Sequence, residues 1–213
     1  MQTHNTIQIF TIGQIENNTY LLTDPDSRKA VVIDPAAGIS EVIDSMHTQY
    51  LELSSIWVTH AHFDHIAGVY PLLSEFGNHI PIYLHPDDLS LWNSGGGARD
   101  FGFDFDPKAQ PTELFFHGQY IPFGNSVIEV RHTPGHTPGH VILYWQAQQT
   151  AFCGDLIFYH GVGRTDMTYC DSTALLKSIR EQVLTLPDAT DLLCGHGPAT
   201  SVSEERKHNP FLD

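Results

Sequence analysis

Within Thr59-His60-Ala61-His62-Phe63-Asp64-His65, three histidines and a carboxylate fall inside six positions. Neutral imidazole is the commonest protein ligand for metal ions, and carboxylate oxygens serve beside it. Extended backbone sends His60 and His62 to the same side, because side chains alternate with period two. A helix beginning at Asp64 turns Asp64 and His65 toward the same pocket from another direction, so the segment offers two ligand sets. Core or surface histidines rarely cluster with a carboxylate at a strand end by chance. Three further segments follow the same plan of a short apolar strand followed by a donor. They are His136 in Thr133-Pro134-Gly135-His136-Thr137-Pro138-Gly139-His140, Asp155 in Gly154-Asp155, and His196 in Gly195-His196-Gly197-Pro198. His60, His62, His65, His136 and His196 with Asp64 and Asp155 make seven donors. One four-coordinate ion with an open position uses three protein ligands, so seven point to two ions sharing one carboxylate. Imidazole and carboxylate without thiolate suit zinc, iron or manganese.

The elements that must carry these residues are legible in outline. Ile7 to Ile12, Thr19 to Thr23 and Lys29 to Ile33 read as strands, with a turn at Asp24-Pro25-Asp26-Ser27. Ser40 is expected to cap a helix bearing Val42, Ile43 and Met46. Ile56 to Val58 reads as a buried strand, Asp64 to Phe76 as one helix, and Ile82 to Leu84 as a strand. Residues 86 to 120 contain Gly95-Gly96-Gly97 and no clean period; they are expected to hold a short helix over Asp87 to Trp92 and then a loop that covers a pocket. Ser126 to His132, Val141 to Trp145, Thr150 to Cys153 and Asp191 to Cys194 are strand-like, and Ser172 to Leu184 is helical, with Leu175, Leu176, Ile179 and Val183 on one face. Strands with intervening helices in both halves indicate a mixed α/β sandwich rather than an all-β barrel. With no Ser-, Gly- or Pro-rich linker, residues 1–213 read as a single domain with a lid insertion at about 86–120.

Composition narrows the function. Ten Lys+Arg against 25 Asp+Glu give a formal charge of −15, which disfavours a phosphate-binding surface, so no nucleic acid is expected as a partner. Fourteen histidines outnumber the lysines and arginines together. Cys153, Cys170 and Cys194 form no pairwise framework, and the N-terminus lacks a basic stretch followed by an apolar run, so a reducing, cytoplasmic setting is expected. No apolar stretch is long enough to span a membrane. Cys153 and Cys194 read as small core residues, His140 as structural, and His132 as packing near the site. Asp34, in Asp34-Pro35, is a candidate to orient a ligand histidine.

The H-x-H-x-D-H string, His136 in its Pro-Gly loop, Gly154-Asp155 and Gly195-His196-Gly197-Pro198 together resemble the metallo-β-lactamase superfamily, in order and spacing over nearly the whole chain. Gly161-Val162-Gly163-Arg164-Thr165-Asp166 resembles the G-x-G-R-[ST]-D segment of its glyoxalase II-like branch, and the run from Glu205-Arg206 to Asn209-Pro210-Phe211 is similar to that branch's E-R-x-x-N-P-F ending. The resemblance implies an α/β fold, a four-layer αβ/βα metallo-β-lactamase sandwich with the metals at one edge. By position, His60, His62 and His136 would hold one ion and Asp64, His65 and His196 the other, with Asp155 between them. The implied cofactors are two divalent metal ions, zinc first, with iron or manganese as alternatives. Lactamases of the main class carry cysteine at the place of Asp155, which turns the expectation toward the hydrolase branch.

The function so implied is hydrolysis of a thioester, such as S-lactoylglutathione, through a metal-bridging hydroxide. Metal binding lowers the pKa of water from about 15.7 to about 7, on the order of 12 kcal/mol at about 1.36 kcal/mol per unit. No separate general base is then needed, and Asp64 is the catalytic candidate as a ligand that also orients the nucleophile. The expected partner is a small-molecule thioester, a glutathione conjugate among the candidates. Glyoxalase II proper adds a C-terminal helical domain that grips glutathione, whereas here the sequence runs 17 residues past His196; weak binding and a high KM are expected. Arg164 and Tyr169 are the candidate substrate-binding residues, Arg164 alternatively anchoring its loop through Asp166. Trp92, Phe101, Phe103 and Phe105 are candidates to cover the acyl group. Met167-Thr168-Tyr169-Cys170 departs from the family's usual continuation after G-R-[ST]-D. The alternative is a glutathione persulfide dioxygenase of the same fold, which also carries G-R-T-D but uses a single iron and consumes oxygen. A third, non-enzymatic reading, with metals that only hold loops, is disfavoured by ligand sets with open positions.

Overall fold

The computed structural model describes residues 5–212. They divide into two compact units, one running up to Leu84 and resuming over Leu89–Leu114, the other formed by His85–Asp88 and the chain from Phe115 onward.

The first unit is built on a six-stranded sheet. β1 (Thr6–Ile12), β2 (Asn17–Asp24) and β3 (Lys29–Ile33) pair antiparallel, and β4 (Glu52–Trp57), β5 (Ile82–Leu84) and β6 (Glu113–Leu114) continue it in parallel. β2 is buried at every position, as an interior strand covered on both faces must be. The switch to parallel pairing needs a crossover, which α1 (Ser40–Thr48) supplies by burying Val42 and Met46, four residues apart on one face. Ser40 proves to be the first helical residue rather than the cap; Ile39 stands at the N-cap without a side-chain bond. The single helix expected over Asp64 to Phe76 is two, α2 (Phe63–Ile66) and α3 (Val69–Phe76). The amide of Gly68 donates at 2.7 Å to the Pro35 carbonyl in the loop after β3, outside the helical ladder, and the run breaks there.

In the second unit, β7 (Tyr120–Phe123), β8 (Ser126–His132), β9 (Val141–Trp145), β10 (Thr150–Gly154), β13 (Asp191–Cys194) and β14 (Thr200–Ser201) form a second six-stranded sheet, with β10 and β13 parallel. A small hairpin of β11 (Ile157–Phe158) and β12 (Gly161–Val162) follows β10. α5 (Ser172–Ser178) starts at Asp171, whose carboxylate accepts from the Thr173 and Ala174 amides at 2.9 and 3.0 Å. The expected helix to Leu184 widens into a π-turn over Ile179–Val183, which keeps Leu175, Ile179 and Val183 buried against Ile142, Ala151 and Leu192. α6 (Val202–His208) explains the tail motif as structural. Glu205 is fully buried and accepts from Thr200 Oγ1 at 2.6 Å, Asn209 Nδ2 at 2.7 Å and the His160 amide at 3.1 Å. Asn209 also donates to the Gly161 carbonyl at 2.9 Å, tying α6 to the hairpin that leads into residues 161–166.

The 86–120 segment is not one piece. Pro86–Asp88 forms a 3₁₀ turn in the second unit, while α4 (Leu89–Asn93) and the chain to Leu114 belong to the first. Trp92 is corrected from a lid candidate to a core residue: it is fully buried, and its indole N–H donates to the Ala109 carbonyl at 2.9 Å. The three cysteines are free thiols; burial pushes the Cys153 thiol up and that of Cys194 to about 12, so both behave as inert core residues. No helix among the described residues is long and apolar enough to cross a membrane.

Candidate metal centre

In the first unit the chain leaves β4 and carries His60 and His62 in the loop before α2, not on the strand itself, with His62 at the α2 N-cap in extended conformation. His60, His62 and His65 are buried. The His60 ring lies 4.8 Å from that of His62 and 4.0 Å from that of His65.

Asp34 sets their orientation. Its backbone is left-handed, with φ 50°, a conformation aspartate tolerates better than most residues. Its carboxylate accepts from the Thr59 amide and hydroxyl, both at 2.7 Å, and from His65 Nδ1 at 3.0 Å. A carboxylate only accepts, so Nδ1 carries the His65 proton and Nε2 the lone pair. The Thr59 hydroxyl, having given its hydrogen to Asp34, accepts from His60 Nδ1 at 3.1 Å, and the same tautomer follows there. One buried carboxylate thus orients two imidazoles, one of them through a threonine hydroxyl. The Asp34, His60 and His65 donors lie within 4.8 Å of one another, but both Asp34 oxygens are engaged by Thr59 and His65, which leaves Asp34 an orienting group. His65 Nε2 and Asp64 Oδ2 are 3.4 Å apart. The segment after α4 supports this loop: Gly96 accepts from the Phe63 amide at 2.9 Å, and a Cβ on Gly96 would fall 2.5 Å from the Phe63 nitrogen, so only glycine approaches this closely.

In the second unit His136 sits in a loop held at both ends. The Ser178 hydroxyl donates to the Pro134 carbonyl at 2.8 Å, and the Cys170 thiol donates to the His136 carbonyl at 3.0 Å. Buried Asp88 accepts from the Thr137 hydroxyl at 2.8 Å and the Gly139 amide at 2.6 Å. His136 Nδ1 donates to the Arg164 carbonyl at 2.9 Å, which again leaves the lone pair on Nε2. Asp155 Oδ2 lies 3.6 Å from His136 Nε2 and 3.7 Å from His196 Nε2. Both separations are too long for a good hydrogen bond. Two donors each about 2.1 Å from a tetrahedral ion stand about 3.4 Å apart, and the 3.4, 3.6 and 3.7 Å pairs fall near that figure. The donor set therefore fits divalent ions on geometry and tautomer alike.

Residues 161–166 fit around Asp155. A Cβ on Gly163 would come within 1.9 Å of the Asp155 carbonyl oxygen, so the second glycine of G-x-G-R-T-D is there for close approach. The Arg164 guanidinium is engaged by Asp166 through Nε at 2.7 Å and Nη2 at 2.8 Å, and this holds the Asp166 carboxyl down to about 2. The loop-anchoring alternative for Arg164 is thus present. Tyr169 donates from its hydroxyl to Met167 Sδ at 2.6 Å. His140 bonds Thr133 at 2.8 Å and is buried, as a structural histidine would be.

Asp88 and Thr59 were not singled out by sequence. Thr59 borders the H-x-H string; the signal for Asp88 is only its place beside Asp87 ahead of a short helix. A further triple, His85, Asp87 and His132, also brings donors within 4.8 Å. The His85 and His132 rings stack at 3.9 Å and 10°, so their in-plane lone pairs run parallel instead of converging on an ion. His132 Nε2 donates to the Pro138 carbonyl at 2.8 Å. Burial and neighbouring His132 lower the His85 pKa to about 4, with Asp87 opposing. The folded state therefore binds fewer protons at this site than the unfolded chain, whose histidine titrates near about 6.5. The stabilisation is complete above that pH and is lost as pH falls toward 4, by up to about 3 kcal/mol. Urea midpoints measured between pH 7 and 4 should fall less steeply in His85→Asn than in the native chain; parallel curves would refute the assignment.

Residues 12–196 match the profile of the metallo-beta-lactamase superfamily. The chain is 31% identical over 208 residues to hydroxyacylglutathione hydrolase GloC of Haemophilus influenzae, covering 97% of this chain and 98% of that one. Among solved structures, BLEG-1 B3 metallo-beta-lactamase superposes with a TM-score of 0.90 at 34% identity, covering 97% of this chain and 99% of that one. TTHA1623 in a di-iron-bound form gives 0.86 at 36%, covering 96% and 100%. ETHE1 from Myxococcus xanthus gives 0.79 at 26%, covering 96% and 83%.

Proposed function

The chain belongs to the metallo-β-lactamase superfamily, and from that premise we propose that it is a metal-dependent thioesterase, with S-lactoylglutathione among its substrates. In this reading His60, His62 and His136 hold one divalent ion, Asp64, His65 and His196 a second, and Asp155 serves both. The observation that carries it is the donor chemistry: Asp155 lies between two imidazoles at ligand rather than hydrogen-bond spacing, and His60, His65 and His136 are each held with the lone pair on Nε2. Divalent ions at these donors would supply hydroxide near neutral pH and polarise the thioester carbonyl. Asp64 orients the attacking oxygen as well as acting as a ligand. Attack at the carbonyl carbon breaks the C–S bond, the acyl group leaves as a carboxylic acid that gives its proton to water, and the thiolate, a weak base, departs without help from an acid. Arg164 and Tyr169 contact the thiol portion. The likeness to a relative named as a hydroxyacylglutathione hydrolase supports the choice of substrate.

Metal analysis of the purified protein beside an S-lactoylglutathione assay tests this reading. About two ions per chain with thioester turnover is expected, and turnover of a chromogenic β-lactam, included because of the likeness to BLEG-1, is expected to be far slower. A second reading, a glutathione persulfide dioxygenase, is favoured by the Arg164-Thr165-Asp166 string, and the likeness to ETHE1 is compatible with it. One iron per chain with oxygen uptake on glutathione persulfide would overturn the hydrolase in its favour.

A further inference from the structure

The first unit contains a cavity of about 660 Å³ that reaches Asp64. Its walls come from four separate stretches: the turn after β1, the loop after β3, the start of α2, and the insertion. Ile12, Ile15, Phe63, Phe101, Phe103 and Phe105 line it, and among its lining residues Asp64 alone is ionisable. The carboxylates of a peptide thiol gain nothing from such walls, whereas an apolar acyl group gains by leaving water. Phe101 and Phe103 meet the Phe63 ring edge-on at 5.4 and 5.0 Å, yet remain 54% and 45% exposed, so their apolar surface is not spent on the core. A lactoyl group has five heavy atoms, and a cavity of this size is of the class that takes much larger ligands.

Asn17 adds a polar requirement. It opens β2 opposite Ile12, lines the cavity and is 1% exposed, and among the described residues neither its amide oxygen nor its amide nitrogen has a hydrogen-bond partner. Buried polar groups left in that state are rare and call for an explanation. A hydroxyl gives one hydrogen bond and takes another, and so answers both atoms of the amide.

We propose that this cavity is the acyl pocket of the thioesterase described above, that it selects bulky apolar acyl groups carrying a hydroxyl, and that Asn17 is the residue that reads the hydroxyl. The proposal rests on the thioesterase reading for its reaction but not for its binding. Turnover of S-mandeloyl-, S-phenylacetyl- and S-lactoylglutathione by the metal-loaded protein is compared, together with calorimetric binding of the uncleavable thioether S-(2-hydroxy-2-phenylethyl)glutathione. Mandeloyl is expected to exceed lactoyl in kcat/KM by about tenfold or more. Phe103→Ala, a change at an exposed side chain that leaves folding intact, should shrink that ratio at least about fivefold and weaken thioether binding. Asn17→Leu should bring the mandeloyl-to-phenylacetyl ratio toward one; should that variant not fold, the Phe103 and thioether measurements still decide. Equal ratios and equal thioether affinity in native protein and Phe103→Ala would overturn the pocket while leaving the hydrolase in place. Absence of any thioester turnover, with thioether binding that still depends on Phe103 and Asn17, would remove the hydrolase and keep the pocket.

Discussion

Replacing His60 and His62 together by alanine is expected to empty the first proposed ligand set and abolish thioesterase activity in one step, a fall of at least about a thousandfold in kcat/KM, with metal content dropping from about two ions per chain to one or none. The proposed first ligand set then retains one imidazole of three, too few for an ion that normally takes three protein ligands and keeps one position open. Without the ion, hydroxide at neutral pH and polarisation of the carbonyl are both lost, and these supply several kcal/mol of transition-state stabilisation at about 1.36 kcal/mol per decade of rate. Neither histidine anchors the sheet: His60 is held by the neighbouring Thr59, and His62 opens a short helix. Far-ultraviolet circular dichroism should therefore stay native-like, and the rise in Tm that added metal produces in the native chain should shrink. Full thioesterase activity in the folded double variant would dismiss the metal-hydrolase mechanism.

Asp34→Asn should be nearly as damaging although Asp34 belongs to neither proposed ligand set. Asparagine keeps the volume and tolerates the left-handed backbone at φ 50°, so the change is electrostatic and not steric. Its Nδ2 cannot accept from the Thr59 hydroxyl or from His65 Nδ1, the two donors that share one Asp34 oxygen. The variant must leave a buried donor unanswered or turn the His65 tautomer, which would move the lone pair from Nε2 to Nδ1. A loss of about 10–100-fold in metal affinity is expected, with a metal-free stability cost of about 1–3 kcal/mol. Competition against a chromogenic chelator and urea unfolding measure the two effects. Unchanged affinity would mean that Asp34 only braces the loop.

The donor strings were legible because they are local. A strand end followed by H-x-H-x-D-H, or by Gly-Asp, or by Gly-His-Gly-Pro, is a pattern of a few residues whose chemistry follows from residue type. Most strands of the two sheets were legible for the same reason, as short β-branched or apolar runs bounded by turn residues, whereas β6, β7 and β14 were not singled out. The break between α2 and α3 was not, because it depends on the Pro35 carbonyl taking the Gly68 amide, and nothing within the helical pattern announces a partner 33 residues away. Trp92 read as a lid because aromatic residues in an aperiodic stretch look alike whether they cover a pocket or fill a core; the Ala109 carbonyl that takes its N–H decides. Asp34 was singled out by its turn, yet its grip on Thr59 and His65 spans 25 and 31 residues, and the Asp88 contacts to Thr137 and Gly139 span 49 and 51. The sequence by itself determined which residues are able to ligate metal and the strands that end beside them. Tertiary structure decided which nitrogen of His60, His65 and His136 carries its proton, and which of the insertion's aromatics face a cavity. Those outcomes are set by hydrogen bonds and packing between segments far apart in the chain, and the period of a local pattern does not encode its distant partner.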